Sequence, residues 1–187
     1  MQTPIEVTGI RVRPLIVPLR RPLIVSFGTF KEGPFLAIEL ETKGGVSGTI
    51  LAFTFHRLGL TLVPTVLQNL TALAKGRSLT LHDMPAFHDT CRKSLMLLGH
   101  EGVTAMALSM FDMALYDAIA KAAGVPLWKL LGGTDAPIPA YNSNGGNLIP
   151  AADAAKEARE LADENGGYGH IKIRFGRASI DDDIAAF

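Results

Sequence analysis

The run from about Glu101 to Ala123 restricts the fold most, because it repeats apolar side chains at helical spacing on nearly every side. Val103, Ala107, Phe111, Ala114 and Ala118 form one stripe, with Met106, Met110 and Met113 beside it. A helix with so little polar surface has to be sandwiched between other layers. Gly124, followed one residue later by Pro126, ends it. Asp117 and Lys121 are spaced as an i,i+4 pair on its surface. Asp112 interrupts its most apolar portion, which favours a core helix over a membrane span.

Strands supply one of the layers. Leu36, Ile38 and Leu40 alternate with Ala37, Glu39 and Glu41, the period-2 pattern of a strand with one wet face. Apolar side chains recur from Ile10 to Leu19 around Arg11 and Arg13, and parity slips near Pro14, which predicts a bulge or an edge position. Lys43-Gly44-Gly45 marks a turn, and Val46 to Phe53 is expected to return as the third strand of an antiparallel meander. Between the first two strands, Arg20 to Gly33 holds Pro22, Gly28, Gly33, Phe27 and Phe30 and reads as a loop. Leu58, Leu62, Val66, Leu70 and Leu73 predict a helix with that stripe as its apolar face. Leu81 to Leu98 reads as a second, less regular helical region.

The pattern changes after residue 135. Leu127 to Leu131 is a short helical turn, and Gly132-Gly133 leads through Pro137 and Pro139 into a strand at about Ile138 to Asn142. A loop over Ser143 to Leu148, a helix over Ala151 to Glu164, a stop at Asn165-Gly166-Gly167 and a strand over Gly169 to Phe175 complete a βαβ unit. Asp181 to Phe187 reads as the first turns of a following helix, with acids where a helix N-terminus favours them. Two domains are expected, residues 1–135 and 136–187. One βαβ unit leaves both edges of its parallel sheet uncovered, so the rest of the second domain is expected to be missing or supplied otherwise.

Composition excludes several function classes. Of the 187 residues 48% are apolar and 19% charged, a globular balance rather than a disordered one. Eighteen basic residues balance eighteen acidic ones, and no basic block with interleaved aromatics suggests nucleic acid. No membrane partner is expected either. Phe27 to Gly33 is glycine-rich but lacks the lysine and the serine or threonine of a phosphate loop. Gly44 to Gly48 follows a strand without opening a helix. The five histidines show no metal-ligand spacing. Cys91 is alone and reads as a buried hydrophobe, and with no signal-peptide pattern at the N-terminus a cytoplasmic location is expected.

Several segments, taken in order, carry a resemblance. They are Pro18-Leu19 with Pro22, the Val46-Ser47-Gly48 return, Ser109 to Leu131 with Gly132-Gly133, Ala140-Tyr141-Asn142-Ser143, and Gly167-Tyr168 leading to Lys172-Ile173-Arg174-Phe175-Gly176. Together they resemble the N-terminal portion of the mandelate racemase and muconate-lactonizing family of the enolase superfamily. That resemblance implies an α+β capping domain followed by the first part of a modified TIM (β/α) barrel, truncated after the second barrel strand. It also implies Mg²⁺ as cofactor, a small carboxylate as substrate, removal of the proton alpha to that carboxylate, and a homo-oligomer in the full-length form. The family's metal carboxylates lie on the third to fifth barrel strands and its histidine–aspartate dyad on later ones, so no metal ligands are expected in this chain. Asp181, Asp182 and Asp183 are consecutive at a helix start and point in different directions, which suits capping.

The chemistry expected of the residues present centres on Lys172 and Arg174. Two apart on a strand, they share one face at roughly 6–7 Å, with Ile171 and Ile173 on the other. Inward cations at a barrel strand's C-terminal end need an anion to satisfy them. By resemblance Lys172 contacts the substrate carboxylate, and Arg174 stands where the racemase has a lysine base. Arginine keeps its proton, so this side is expected to bind and polarise, favouring dehydration of a sugar acid over two-base racemisation. Ser143 matches a serine near the substrate carboxylate, although its surroundings also suit a turn. Phe27, Phe30, Leu51, Phe53 and Phe55 are expected to form an apolar wall against the substrate. His170 reads as a hydrogen-bonded structural histidine. The alternative to an enzyme part is a catalytically incomplete piece acting only as a structural or assembly module.

Overall fold

The computed structural model describes residues 3–186, so Phe187, assigned above to the last helix, lies outside the described residues. The chain divides into two compact units. The first holds the chain up to Val17 with Pro34–Asp135, and the second holds Pro18–Gly33 with the chain from Ala136 onward.

Strands β1 (Ile5–Val25), β2 (Gly28–Thr42), β3 (Ser47–Phe53) and β4 (Ser78–Leu79) form one sheet in the order β3-β2-β1-β4. β2 and β3 are antiparallel, with Phe35 opposite Phe53 and Glu41 opposite Ser47. The expected meander is therefore present, and a short fourth strand extends it by pairing Leu79 with Ile5 and Ser78 with Glu6. A strand of two residues is too short to show a period by which to foresee it. Arg20 to Gly33 is not a loop. β1 and β2 run on through it and reverse only at Ser26-Phe27. Prolines and glycines there signalled irregularity, but strand backbone accepts Pro22 where no ladder donor is needed.

In β2, Leu36, Ile38 and Leu40 are buried while Ala37, Glu39 and Glu41 are only partly covered, as alternation requires. Helix α1 (Gly59–Ala74) presents Val63, Leu67, Leu70 and Ala74 to the core. The buried face thus shares Leu70 with the stripe read from the sequence but centres on Val63 and Leu67, with Val66 and Leu73 partly buried against the core and Leu58 and Leu62 exposed. Both stripes are apolar, so periodicity alone had two nearly equal solutions. The Leu81–Leu98 region divides into two 3₁₀ turns flanking α2 (Met84–Ser94). Thr80 and Asp83 form a reciprocal capping box ahead of it, and the Thr80 hydroxyl and N–H hold the Asp83 carboxyl below its ordinary pKa.

Helix α3 (Val103–Ala122) is the centre of the first unit. Ala107, Phe111, Ala114 and Ala118 are buried with Leu108, Leu115 and Ile119, packing against α1 and β3. By length and composition it matches a membrane span, and more than half of its most apolar stretch is buried in the fold. β3 crosses α3 so closely that a Cβ on Gly48 would stand 1.9 Å from the Ala114 carbonyl oxygen. Polar groups fix the crossing. Asp117 pairs with Lys121 at 2.7 Å and accepts the Thr49 N–H at 2.6 Å, while Lys121 donates to the Ser47 carbonyl. Gly124, at φ +67°, closes the helix before α4 (Leu127–Leu130).

The second unit contains α5 (Ala151–Asp163) and α6 (Ile180–Ala185). The two strands expected around α5 reduce to one parallel bridge between Asn142 and Ile171. Neighbouring backbone hydrogen bonds extend the contact, from Lys172 N–H to Asn142 O and from Arg174 N–H to Gly146 O, both 2.8 Å. Ile138 is exposed and outside the pairing. Two short segments without further neighbours cannot build the ladder that defines a strand.

Candidate functional site

Lys172 and Arg174 sit where that parallel contact is made, and Gly146 lets it form. Gly146 has φ +60°, and a Cβ there would lie 2.1 Å from the Lys172 carbonyl oxygen. The Lys172 side chain is exposed and lines a shallow depression with Pro139, Tyr141 and His170. Ile173 instead faces a cavity of about 380 Å³ walled by the alanines of α5. Arg174 borders that cavity too, and its Nη1 donates to the Gly145 carbonyl at 2.8 Å and to Asn147 Oδ1 at 3.3 Å. The two cations therefore line different hollows.

Ser143 is exposed beside the buried Asn142. Asn142 Oδ1 accepts the Asn144 N–H at 2.9 Å, a local turn closure around Ser143. His170 is exposed, and its carbonyl accepts the Asn142 N–H. Among the expected wall residues, Phe27 meets Phe30 edge-on at 6.0 Å in the second unit. In the first unit Phe53 stacks obliquely on Phe55 at 4.6 Å and on Phe35 at 5.1 Å, and Leu51 is exposed. Phe55 has φ +59°, an outlying conformation for an aromatic residue.

Sequence reasoning missed the polar residues that assemble this unit. Asn147 is buried, donates to the Pro22 carbonyl at 3.1 Å and accepts the Ile24 N–H at 3.3 Å. Asn142 Nδ2 bridges the Leu161 carbonyl and Glu164, and Arg21 reaches the other Glu164 oxygen at 2.9 Å. The Asn142 and Asn144 amides, followed by Arg21, hold the Glu164 carboxyl below its ordinary pKa. Asp183 is likewise held down by the Gly176 N–H and then by Arg177, its partner at 2.9 Å. Ser179 caps α6 by accepting the Asp182 N–H. An asparagine in a turn-rich stretch carries no sequence signal that its amide will be buried.

Mg²⁺ requires several oxygen ligands in octahedral array. Among the described residues no three His, Cys, Asp or Glu side chains come together as metal ligands. The described residues therefore offer no such ligand set.

Comparison with known proteins places this geometry in a family. Residues 7–132 match the N-terminal domain of mandelate racemase and muconate lactonizing enzyme. The chain belongs to that family, within the enolase superfamily, and its first unit is the α+β capping domain with an antiparallel sheet and helices. It is 28% identical over 170 residues to a 3,6-anhydro-alpha-L-galactonate cycloisomerase of Streptomyces coelicolor, covering 90% of this chain and 46% of that one. A solved enolase of alpha proteobacterium bal199, with bound Mg, superposes with TM-score 0.88 at 33% identity over 97% of this chain and 50% of that chain. A Bradyrhizobium enolase complexed with magnesium and mandelic acid gives 0.85 at 33% identity, over 100% of this chain and 50% of that one. Further relatives are named as sugar-acid dehydratases and as amino-acid racemases and epimerases. The chain spans about half the length of these relatives. A purely structural role finds no support among them.

Proposed function

We propose that this chain is the N-terminal part of a Mg²⁺-dependent enzyme that removes the proton alpha to a substrate carboxylate, by dehydratase or racemase chemistry. In this reading residues 1–135 are its capping domain and residues 136–187 belong to the first part of its barrel. The observation that carries this reading is the parallel Asn142–Ile171 contact around α5, beside which Lys172 is exposed and, among the described residues, its side chain has no fixed partner. A βα unit of this kind presents strand-end residues to a ligand.

In this reading the Lys172 ammonium attracts the substrate carboxylate, and the Ser143 hydroxyl donates to one of its oxygens. Arg174 borders a different hollow, where one nitrogen is spread over Gly145 and Asn147, so in this reading it acts apart from the carboxylate that Lys172 attracts. Because a guanidinium keeps its proton, Arg174 stabilises charge and leaves proton abstraction to another group. That favours one-sided elimination from a sugar acid. Phe27 and Phe30 in the second unit, and separately Leu51, Phe53 and Phe55 in the first, are the apolar side chains that this reading offers for sorting substrates. The chain's own residues bind and polarise, and the metal ligands lie elsewhere.

The test is exchange of the α-proton in D₂O, followed by NMR with Mg²⁺ over mandelate and galactarate. The 187-residue chain and the longest product of its gene are assayed side by side. The longer product is expected to act on one face of one substrate and to lose at least about 100-fold in rate on Lys172→Ala, as for a lost charged contact to the reacting group. Equal exchange from both faces with Arg174 intact would reject one-sided chemistry. One tight Mg²⁺ site on the 187-residue chain would reject the placement of the ligands.

A further inference from the structure

Between α2 and α3 lies a cavity of about 220 Å³ with ionisable walls. His88 and Arg92 stand one helical turn apart on α2, His100 comes from the connection, and Ser109 and Asp112 stand three apart on α3. Among the described residues, no hydrogen bond engages any of these five side chains. Two imidazoles and a guanidinium thus face one space with a single acid. A metal is not what the arrangement favours, since no three ligating side chains converge among the described residues.

We propose that this cavity binds a small oxyanion, gripped by Arg92, His88 and His100, with the Ser109 hydroxyl donating a further hydrogen bond. A guanidinium offers paired N–H groups that match two oxygens of such an anion, and Arg92 is exposed, so the anion reaches it from solvent. Asp112 sets the sense of the pH dependence. Burial pushes its carboxyl up from the ordinary value, and the charge of His88 acts the other way. On acidification imidazoles gain protons and a carboxyl moves toward neutrality, so the cavity becomes more positive by both routes. The remaining titratable groups bearing on Asp112 are Tyr116 and Cys91. Both are raised, burial being the first cause, and neither is charged at neutral pH. Arg77 acts on Cys91 from outside the cavity wall, and Asp89 and Lys93 neutralise each other along α2 at 3.1 Å.

Histidine C2–H resonances of the 187-residue chain, titrated with sodium sulfate and separately with sodium acetate, test this at constant ionic strength in chloride. Both anions keep their charge between about pH 6 and about pH 8, where free imidazole changes its own. Saturable shifts of two imidazoles, stronger at the lower pH, are expected. Arg92→Ala should weaken binding about tenfold, the size of one lost charge-assisted hydrogen bond. His100→Gln should weaken it at the lower pH only. Saturation by sulfate alone assigns the site to tetrahedral anions, and saturation by both assigns it to oxyanions at large including carboxylates. No saturable shift with either, equal affinity at both pH values, or unchanged binding in Arg92→Ala overturns the proposal.

Discussion

Gly48 shows how one missing side chain governs the cap. With the Ala114 carbonyl 1.9 Å from where a Cβ would be, neither the helix backbone nor the strand can yield without breaking their packing. Gly48→Ala is expected to destabilise by about 3 kcal/mol or more, measured as a lower midpoint in urea, because the clash is with backbone rather than a flexible side-chain end. Cys91 behaves oppositely, as a residue that fits its site. It is buried, and its thiol is pushed up to about 11, burial being the largest cause. A raised thiol favours the neutral form, so this contribution is present below the unfolded value, about 8.5, and lost as pH rises through 11. Native protein at about pH 8 should therefore resist iodoacetamide, and protein in denaturant should be labelled at one site. Rapid labelling of the native chain would contradict the burial. The thiol's burial was legible in a cysteine that stands alone in the chain, whereas the need for glycine at 48 was not. Its reason lies 66 positions away in the sequence, at Ala114.

Elements behaved according to how much their pattern left undecided. α3 was legible almost to the residue, since an apolar surface on all sides permits only a central place. The part of β2 from Leu36 to Glu41 was equally plain, because strict alternation has one solution once one face is wet. α1 was legible as a helix but not in its rotation: the sheet and α3 selected the Val63–Leu67–Leu70 face over Leu58–Leu62. The far end of the β1–β2 hairpin was misread because its order depends on Asn147, a residue more than 120 positions later. Asn147→Ala should leave the Pro22 carbonyl and Ile24 N–H without their partner, costing about 1–3 kcal/mol. Faster amide exchange at Ile24, with unchanged exchange in α3, would be the expected signature. Uniform exchange at both places would show that the amide does not hold the hairpin.

At the scale of the molecule, carboxylates that fasten turns should make the second unit sensitive to acid. Glu164 and Asp183 both have lowered pKa values, from the Asn142 amide and the Gly176 N–H respectively. For a depressed carboxylate the stabilising contribution is present above the unfolded value, about 4, and is lost as pH falls through the lower folded value. Limited pepsin digestion should consequently open sites near Asn142 and Gly176 as pH drops below about 4, before sites in α3. Cleavage of α3 first would reverse that order. What the sequence determined by itself was the central helix and the alternating strands, because each is written in spacing over a few neighbouring positions, and the family, by resemblance of several segments taken in order along the chain. What only the tertiary structure decided was the buried face of α1, the added strand β4, the anchoring of the hairpin by Asn147, and the separation of Lys172 from Arg174 into different hollows. Those outcomes depend on which backbone amides and carbonyls remain unpaired after folding and which distant side chain reaches them, a quantity that no local period encodes.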